Sequence, residues 1–198
     1  MKNKLLLILA FSFLLPLTSF GAIPGKYEVV GKIPKAKSLD VVEIREIFSF
    51  TCPHCNDFNK KIPTLKRRFG DKIKIIGHPI AWVGPNPAKL YYVAVLKGVH
   101  EEVKDFIFSA VFDSGIQNIN DLKILSFIAN QFNINKDFQN LIDDPKIEDA
   151  LKSGKEYAKL KKVTSTPTII IQDGLKMHGD IENISVIINS LLKQPVKY

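Results

Sequence analysis

Positions 41 to 55 read VVEIREIFSFTCPHC, an apolar run that ends in two cysteines separated by two residues. Alternate residues along this run are apolar, which is typical of a strand with one face in a core. That core face would hold Val42, Ile44, Glu46, Phe48 and Phe50. We therefore predict a strand over 41–50 with one acid, Glu46, on its buried face.

A helix is predicted to follow, because the apolar spacing changes at Pro53 from two residues to three and four. The helix would end at Gly70, with a kink at Pro63. A second apolar strand covers 72–80. A strand, a helix and a strand in this order build a parallel sheet, so we predict an α/β protein.

The remainder of the chain divides into a helical stretch and a hairpin. Residues 86–162 carry helix signals, with Asn86, Asn120 and Asp144 as predicted caps. Thr168–Ile171 and Leu175–His178 would form a β-hairpin, and a closing amphipathic helix would follow over 181–192.

The first 21 residues have the layout of a secretory signal peptide, with Lys2 and Lys4 before an apolar run and small residues after it. We predict cleavage after Gly21 and export of the mature chain. The alternative is an uncleaved membrane anchor, but Pro16 interrupts the run short of the usual span of about 20 residues.

Composition and charge favour a folded domain over a nucleic-acid-binding protein. The 198 residues are 45% hydrophobic and carry a formal charge of +8. Most of this charge is lysine scattered among acids, which is typical of a solvated surface and not of a phosphate-binding patch.

The cysteine pair indicates redox chemistry. Cys52 would cap the helix, where free backbone N–H groups and the helix dipole lower a thiol pKa, and Pro53 suits the first helical position. His54 offers a further donor or cation to the same sulfur. A stabilised thiolate makes the disulfide easy to give away, as an oxidant of other proteins requires.

The two sulfurs are expected to have different roles. Cys52, at the exposed helix tip, would attack or be attacked, and Cys55, one turn inward, would be the buried resolving thiol. Glu46 would be desolvated, which favours its protonated form, and could exchange a proton with Cys55. The alternative for Glu46 is a surface acid on an edge strand.

Thr166 and Pro167 precede the predicted strand 168–171. A cis bond at this position would turn the Thr166 backbone outward, where an extended substrate could pair with it. A trans bond is the commoner state of an X-Pro pair.

The run Glu46-Ile-Phe-Ser-Phe-Thr-Cys-Pro-His-Cys55, together with Thr-Pro-Thr at 166–168, resembles the DsbA family of periplasmic thiol:disulfide oxidoreductases. The resemblance implies a thioredoxin fold with an inserted all-helical domain. The thioredoxin-like part would comprise 22–85 and 163–198, and the insertion 86–162. Pro167 follows Cys52 by 115 positions, which leaves room for it.

The resemblance also implies a role for each site residue. Cys52 would be the nucleophile, Cys55 the resolving thiol, His54 the thiolate stabiliser and Glu46 the buried acid. Pro53, Thr166 and a cis Pro167 would face the substrate. Thr166 departs from the valine of the best-known members and is more similar to the isomerase branch. The N-terminal dimerisation domain of that branch is not expected here, because only about twenty mature residues precede the strand that leads to Cys52.

The implied partners are reduced, unfolded exported proteins, held in an apolar groove, and a quinone-linked membrane reoxidase of the DsbB type. No cofactor beyond the cysteine pair, no nucleic acid and no stable membrane insertion are expected. A disulfide reductase or isomerase on the same fold is one alternative. A chaperone that binds peptides without redox chemistry is another.

Metal and haem sites are disfavoured by the same motif. The chain has no further cysteine for zinc, and His78, His100 and His178 lack ligand spacing, so they are expected at the surface or at helix caps. Asn56 stands where haem attachment needs a histidine.

Overall fold

The computed structural model describes residues 22–82 and 84–196. The predicted signal peptide, 1–21, lies outside the described residues. The strands are β1 (Glu28–Val29), β2 (Val42–Phe48), β3 (Ile73–Pro79), β4 (Thr168–Ile171) and β5 (Leu175–His178). They form one sheet in the order β1-β5-β4-β2-β3. β2 pairs in parallel with β3 and antiparallel with β4, so the strand that leads to the cysteines is an inner strand.

Helices cover both faces of this sheet and fill the stretch between β3 and β4. They are α1 (Pro53–Asn59), α2 (Ile62–Phe69), α3 (Asn86–Lys97), α4 (His100–Phe112), α5 (Leu122–Gln131), α6 (Asn135–Leu141), α7 (Pro145–Leu160) and α8 (Ile181–Leu191). The predicted α/β architecture, a thioredoxin fold with helices inserted in it, is confirmed. Within the described ranges, no helix has the length and apolar character needed to cross a bilayer.

β2 contributes to three apolar clusters, the smallest of which joins Ile47 to Ile170 and Ala158. Val42 and Ile44 pack with α2, α8 and the β4–β5 hairpin. Phe48, at the other end of the strand, packs with the helices between β3 and β4. The chain leaves β2 where these last two clusters meet, and the cysteine pair follows there.

The predicted single helix with a kink at Pro63 is wrong. The chain breaks between α1 and α2 at Lys60 and Lys61, and Pro63 lies in the first turn of α2. Its missing N–H costs nothing there, because first-turn N–H groups have no partner within their helix.

Two of the three predicted caps are also wrong. Asp144 caps α7 by accepting from Lys146 N at 2.8 Å. Asn86, however, is the first residue of α3, and Asp121 caps α5 in place of Asn120. Asn86 and Asn120 bond to each other, with Asn86 N donating to Asn120 Oδ1 (3.0 Å) and Asn86 Nδ2 donating to the Asn120 carbonyl (2.9 Å).

The expectation that the lysines form a solvated surface fails at three positions. Lys89, Lys104 and Lys161 are buried. Each has a carboxylate partner, which offsets the loss of water around the ammonium group. The net charge of the sequence therefore does not predict that these three lysines are buried.

Candidate active site

The cysteine pair lies where β2 ends and α1 begins. Cys52 has extended backbone angles and is the N-cap of α1, and Pro53 occupies the first turn. The Cys52 N–H donates to the Ser49 carbonyl at 3.1 Å, which turns the chain between strand and helix. Cys52 is partly exposed and Cys55 is fully buried, so the structure places the two sulfurs as the sequence predicted.

The chain just before β4 faces this helix tip. The Thr166–Pro167 bond is cis, as the resemblance implied. The Cys52 Sγ lies 3.3 Å from the Thr166 carbonyl oxygen, to which the thiol donates, although the two residues are 114 positions apart in sequence. Cys52 and the Thr166 backbone therefore form one surface.

Two opposing influences act on the Cys52 thiol. Burial raises its pKa, but hydrogen bonds that favour the thiolate outweigh burial and bring the pKa below the usual 9.0. The first of these comes from the Thr166 side chain. Others come from the Cys55 thiol and from the backbone of Cys55 and His54. Cys52 thus carries a stabilised thiolate.

Cys55 shows the opposite behaviour. Burial raises the pKa of its thiol to about 12, and the neighbouring Cys52 sulfur adds to the rise. Cys55 lies in the apolar cluster around Phe48 and Phe50, away from solvent. The pair therefore consists of one acidic, accessible sulfur and one that strongly retains its proton.

His54 and Pro53 lie on the exposed side of the helix tip. The contact of His54 with the Cys52 sulfur is made by its backbone N–H. The main chain of His54 thus contributes to the stabilisation of the Cys52 thiolate. The role predicted for its imidazole stays a prediction.

Glu46 is fully buried on the inner strand β2, and the edge-strand alternative is wrong. Its Oε2 accepts from Lys104 Nζ of α4 at 2.6 Å. Glu46 is therefore paired with a buried cation and not isolated in the core. Nothing in the sequence linked Lys104 to a residue 58 positions earlier, because the contact arises from the packing of α4 on the sheet.

Two open clefts lie close to the chain on either side of Thr166 and Pro167 in sequence. One, of about 530 Å³, includes Lys61, Asp180 and Glu182 in its lining. The other, of about 480 Å³, includes Thr164, Ser165 and His178. Neither lining includes Cys52, Thr166 or Pro167, so the apolar groove expected at the cysteines stays a prediction.

Among the aromatic residues, Tyr91 and Phe108 are buried in the core. Trp82 is 60% exposed in the segment after β3. Because β2 and β3 are parallel, this segment emerges at the same edge of the sheet as the chain to Cys52. Trp82 is therefore an exposed aromatic side chain that follows β3 at this edge of the sheet.

One histidine departs from the expected surface position. His78 is largely buried, its ring stacks on Tyr157 at 5.3 Å, and its Nε2 accepts from Arg45 Nη1 at 3.2 Å. Burial, and then the charge of Arg45, lower its pKa to about 4. Across 22–82 and 84–196, no three His, Cys, Asp or Glu side chains are grouped so that they could hold a metal ion.

The chemistry open to such a pair of sulfurs is thiol–disulfide exchange, and this defines the class of protein as a dithiol oxidoreductase. The family model described as Thioredoxin matches residues 34–190. The chain belongs to the thioredoxin family.

Its curated relatives include two thiol:disulfide interchange proteins DsbA. The protein from Pseudomonas syringae pv. tomato is 28% identical over 153 residues, which are 76% of this chain and 64% of that protein. The match therefore spans less than two thirds of that relative. The protein from Burkholderia cepacia is 25% identical over 179 residues, or 86% of this chain and 84% of that protein.

Solved structures support the same fold. The oxidoreductase DsbA from Xylella fastidiosa superposes with a TM-score of 0.68 at 21% identity and covers 84% of this chain and 93% of its own. DsbA from Pseudomonas aeruginosa superposes with a TM-score of 0.65 at 16% identity and covers 80% of this chain and 83% of its own. These likenesses concern the arrangement of helices and strands.

Proposed function

We propose that this protein donates a Cys52–Cys55 disulfide to reduced, unfolded exported proteins. The observation that carries the proposal is the opposite shift of the two thiols, with the pKa of Cys52 lowered and that of Cys55 raised to about 12. Stabilising the Cys52 thiolate favours the reduced form, while the disulfide gains nothing equivalent. The bridged state is therefore the less stable one and is readily given up.

The reaction would proceed in two exchanges. A substrate thiolate attacks Cys52 Sγ, the bond between the two protein sulfurs breaks, and its electron pair remains on Cys55, which takes up a proton. A second substrate thiolate then attacks the substrate sulfur of the mixed disulfide. Cys52 leaves as the stabilised thiolate, and the substrate keeps the new disulfide.

Substrate binding would use main chain more than pockets. The Thr166 backbone lies next to the Cys52 sulfur, where an extended peptide can pair with it. Pro53 and Pro167 would border this peptide.

The cycle requires a partner that removes two electrons from the reduced pair. We propose a quinone-linked membrane reoxidase of the DsbB type and a periplasmic location for the mature chain. The cysteine pair itself would carry the electrons, without a further cofactor.

The reduction potential of the purified mature protein against glutathione tests the proposal. We expect a value clearly more oxidising than the roughly −270 mV of thioredoxin. A value near that of thioredoxin would favour a reductase, and a pair kept reduced in the cell would do the same.

The matched control is Cys52→Ala in an assay of disulfide formation in a reduced, unfolded substrate. We expect this variant to be inactive. If it still supports the cellular role of the protein, a chaperone that does not use the cysteines is the correct assignment.

A further inference from the structure

Ser49 lies at the point where β2 ends and the turn to the cysteines begins. The pairing of β2 extends to Ile47 on the side of β4 and to Phe48 on the side of β3, so Ser49 is the first residue beyond both ladders. The residue is fully buried, although it carries a hydroxyl group. A buried hydroxyl is costly unless it forms hydrogen bonds, so its contacts indicate its role.

The Ser49 hydroxyl contacts Thr51 in two ways. Ser49 Oγ accepts from the Thr51 backbone N–H at 3.4 Å and lies 3.2 Å from Thr51 Oγ1. A serine side chain that bonds to the main chain two positions later closes a tight turn, which is a common use of serine outside helices and strands. The hydroxyl therefore holds this turn from within the core.

The main chain of Ser49 contacts both cysteines of the motif. Its carbonyl accepts from Cys52 N at 3.1 Å, which positions the N-cap of α1. Burial raises the pKa of Cys55, and a hydrogen bond from the Ser49 backbone is the first influence that opposes this rise. A backbone group that favours a thiolate is an N–H donor. Ser49 thus binds one cysteine through its C=O and the other through its N–H.

The contact with Cys55 matters at one step of disulfide donation. When a substrate thiolate bonds to Cys52 Sγ, the bond between the two protein sulfurs breaks and its electron pair goes to Cys55, which is the leaving group. A thiol leaves faster when its thiolate is more stable. Because burial makes Cys55 a poor leaving group, a donor to its sulfur affects the rate of this step.

We propose that Ser49 is a positioning residue for disulfide donation, whose hydroxyl fixes the turn that aims the Ser49 N–H at the Cys55 sulfur. This inference rests on the proposed function. Ser49 acts through its main chain on the departure of Cys55. Other donors stabilise the Cys52 thiolate, and the Thr166 side chain is the first of them. The two sulfurs are therefore controlled separately.

The test compares two rates in Ser49→Ala and in wild type at neutral pH. One is the rate at which dithiothreitol reduces the oxidised protein, which depends on Cys55 as the leaving group. The other is the rate at which iodoacetamide alkylates the reduced protein, which depends on the Cys52 thiolate. We expect reduction to be roughly threefold or more slower, because the loosened turn weakens the donor to Cys55, and alkylation to stay within about twofold of wild type. A general loss of structure would not separate the two rates.

Ser185→Ala is the matched control, because Ser185 is also buried but lies on α8 and donates to the Ile181 carbonyl at 2.8 Å. Both of its rates are expected to match wild type. Thr51 provides a second pair of variants in case Ser49→Ala fails to fold. Thr51→Val removes the hydroxyl beside Ser49 Oγ and is expected to slow reduction as well, whereas Thr51→Ser keeps the hydroxyl and is expected to follow wild type.

Equal rates of reduction in Ser49→Ala and wild type overturn the inference, as does a fall that alkylation or Ser185→Ala shares. If Ser49→Ala does not fold, a wild-type rate of reduction in Thr51→Val overturns it. These results leave disulfide donation intact. Failure of the wild-type protein to oxidise a reduced substrate, with the slow reduction of Ser49→Ala still present, would instead refute the proposed function.

Discussion

Thr166 shows how one side chain acts on both sulfurs of the site. Its hydroxyl is buried and has no hydrogen-bond partner among the described residues, so it is free to donate to the Cys52 thiolate, which lowers the pKa of Cys52. The same side chain opposes, without reversing, the rise in the pKa of Cys55. The sequence marked Thr166 as a departure from the family pattern but did not show this effect, since the contact depends on the turn before β4.

Replacing Thr166 with valine is therefore expected to raise the pKa of the Cys52 thiol, because a methyl group cannot donate a hydrogen bond to the thiolate. The rate of alkylation of the reduced protein at pH 5 is expected to fall several-fold. Thr164→Val, at an exposed position of the same loop, is the control. Equal alkylation rates in wild type and Thr166→Val would show that the hydroxyl has no role.

His78 is a second residue whose environment has a measurable consequence. Its pKa is about 4 in the folded protein against an ordinary 6.5, so between these values the unfolded chain binds the extra proton. Stability is then lost as pH falls from 6.5 to 4, by up to about 3 kcal/mol in total.

His78→Phe keeps a ring against Tyr157 and removes the titration. We expect its free energy of unfolding, measured with urea, to change less across this pH window than that of wild type. His178→Gln, at an exposed position, is the control. An unchanged slope in His78→Phe would contradict the assignment.

At the level of single residues, the sequence predicted the groups that lie along one strand and one helix. Cys52, Cys55 and Glu46 belong to one continuous run, so periodicity placed them correctly. Lys104 and the buried environment of His78 depend on helices packed from distant parts of the chain. Local spacing carries no information about such packing.

At the scale of elements, the pair Asn86 and Asn120 joins the start of α3 to the loop before α5. Gly84 has a φ of +105°, and a Cβ there would approach the Asn120 side chain to 2.4 Å. The backbone before α3 thus lies directly against this amide, in the segment that carries Trp82.

Asn120→Ala is expected to lower the free energy of unfolding by about 1 to 3 kcal/mol, because it leaves the Asn86 backbone N–H without its partner. Asn130→Ala, at an exposed position on α5, serves as the control in the same denaturant titration. If the two variants have equal stability, the amide pair does not hold this segment in place.

The order of elements was predictable where the period of the apolar residues changes, at Pro53 and again before the β4–β5 hairpin. The exact ends of the helices were less predictable. Pro63 was read as a kink because proline disrupts helix interiors, but proline is equally suited to a first turn. Asn120 was read as a cap because asparagine often caps helices, but its amide bonds to Asn86 instead.

At the scale of the whole molecule, the shift of Cys52 couples redox state to stability. Its folded pKa lies below the unfolded value of 9.0, so the contribution to stability is fully present above pH 9.0 and is lost as pH falls through the folded pKa. Cys55 makes no opposing contribution to stability below pH 9.0. Its pKa is raised, so its thiol stays protonated in both the folded and the unfolded chain in that range.

The free energy of unfolding of the reduced protein is therefore expected to rise with pH up to 9.0, with a slope of at most about 1.4 kcal/mol per pH unit from Cys52. Reduced Cys52→Ala lacks this contribution and is the control in a series of urea titrations. Parallel pH profiles of the two proteins would contradict the coupling.

The most direct test of disulfide donation is the absorbance of the Cys52 thiolate at 240 nm, followed during pH titration of the reduced protein. We expect one ionisation clearly below 9.0, absent from Cys52→Ala and retained in Cys55→Ala, since the backbone and Thr166 donors remain in that variant. An ionisation at or above 9.0 would remove the physical basis for a readily donated disulfide and contradict the proposed function.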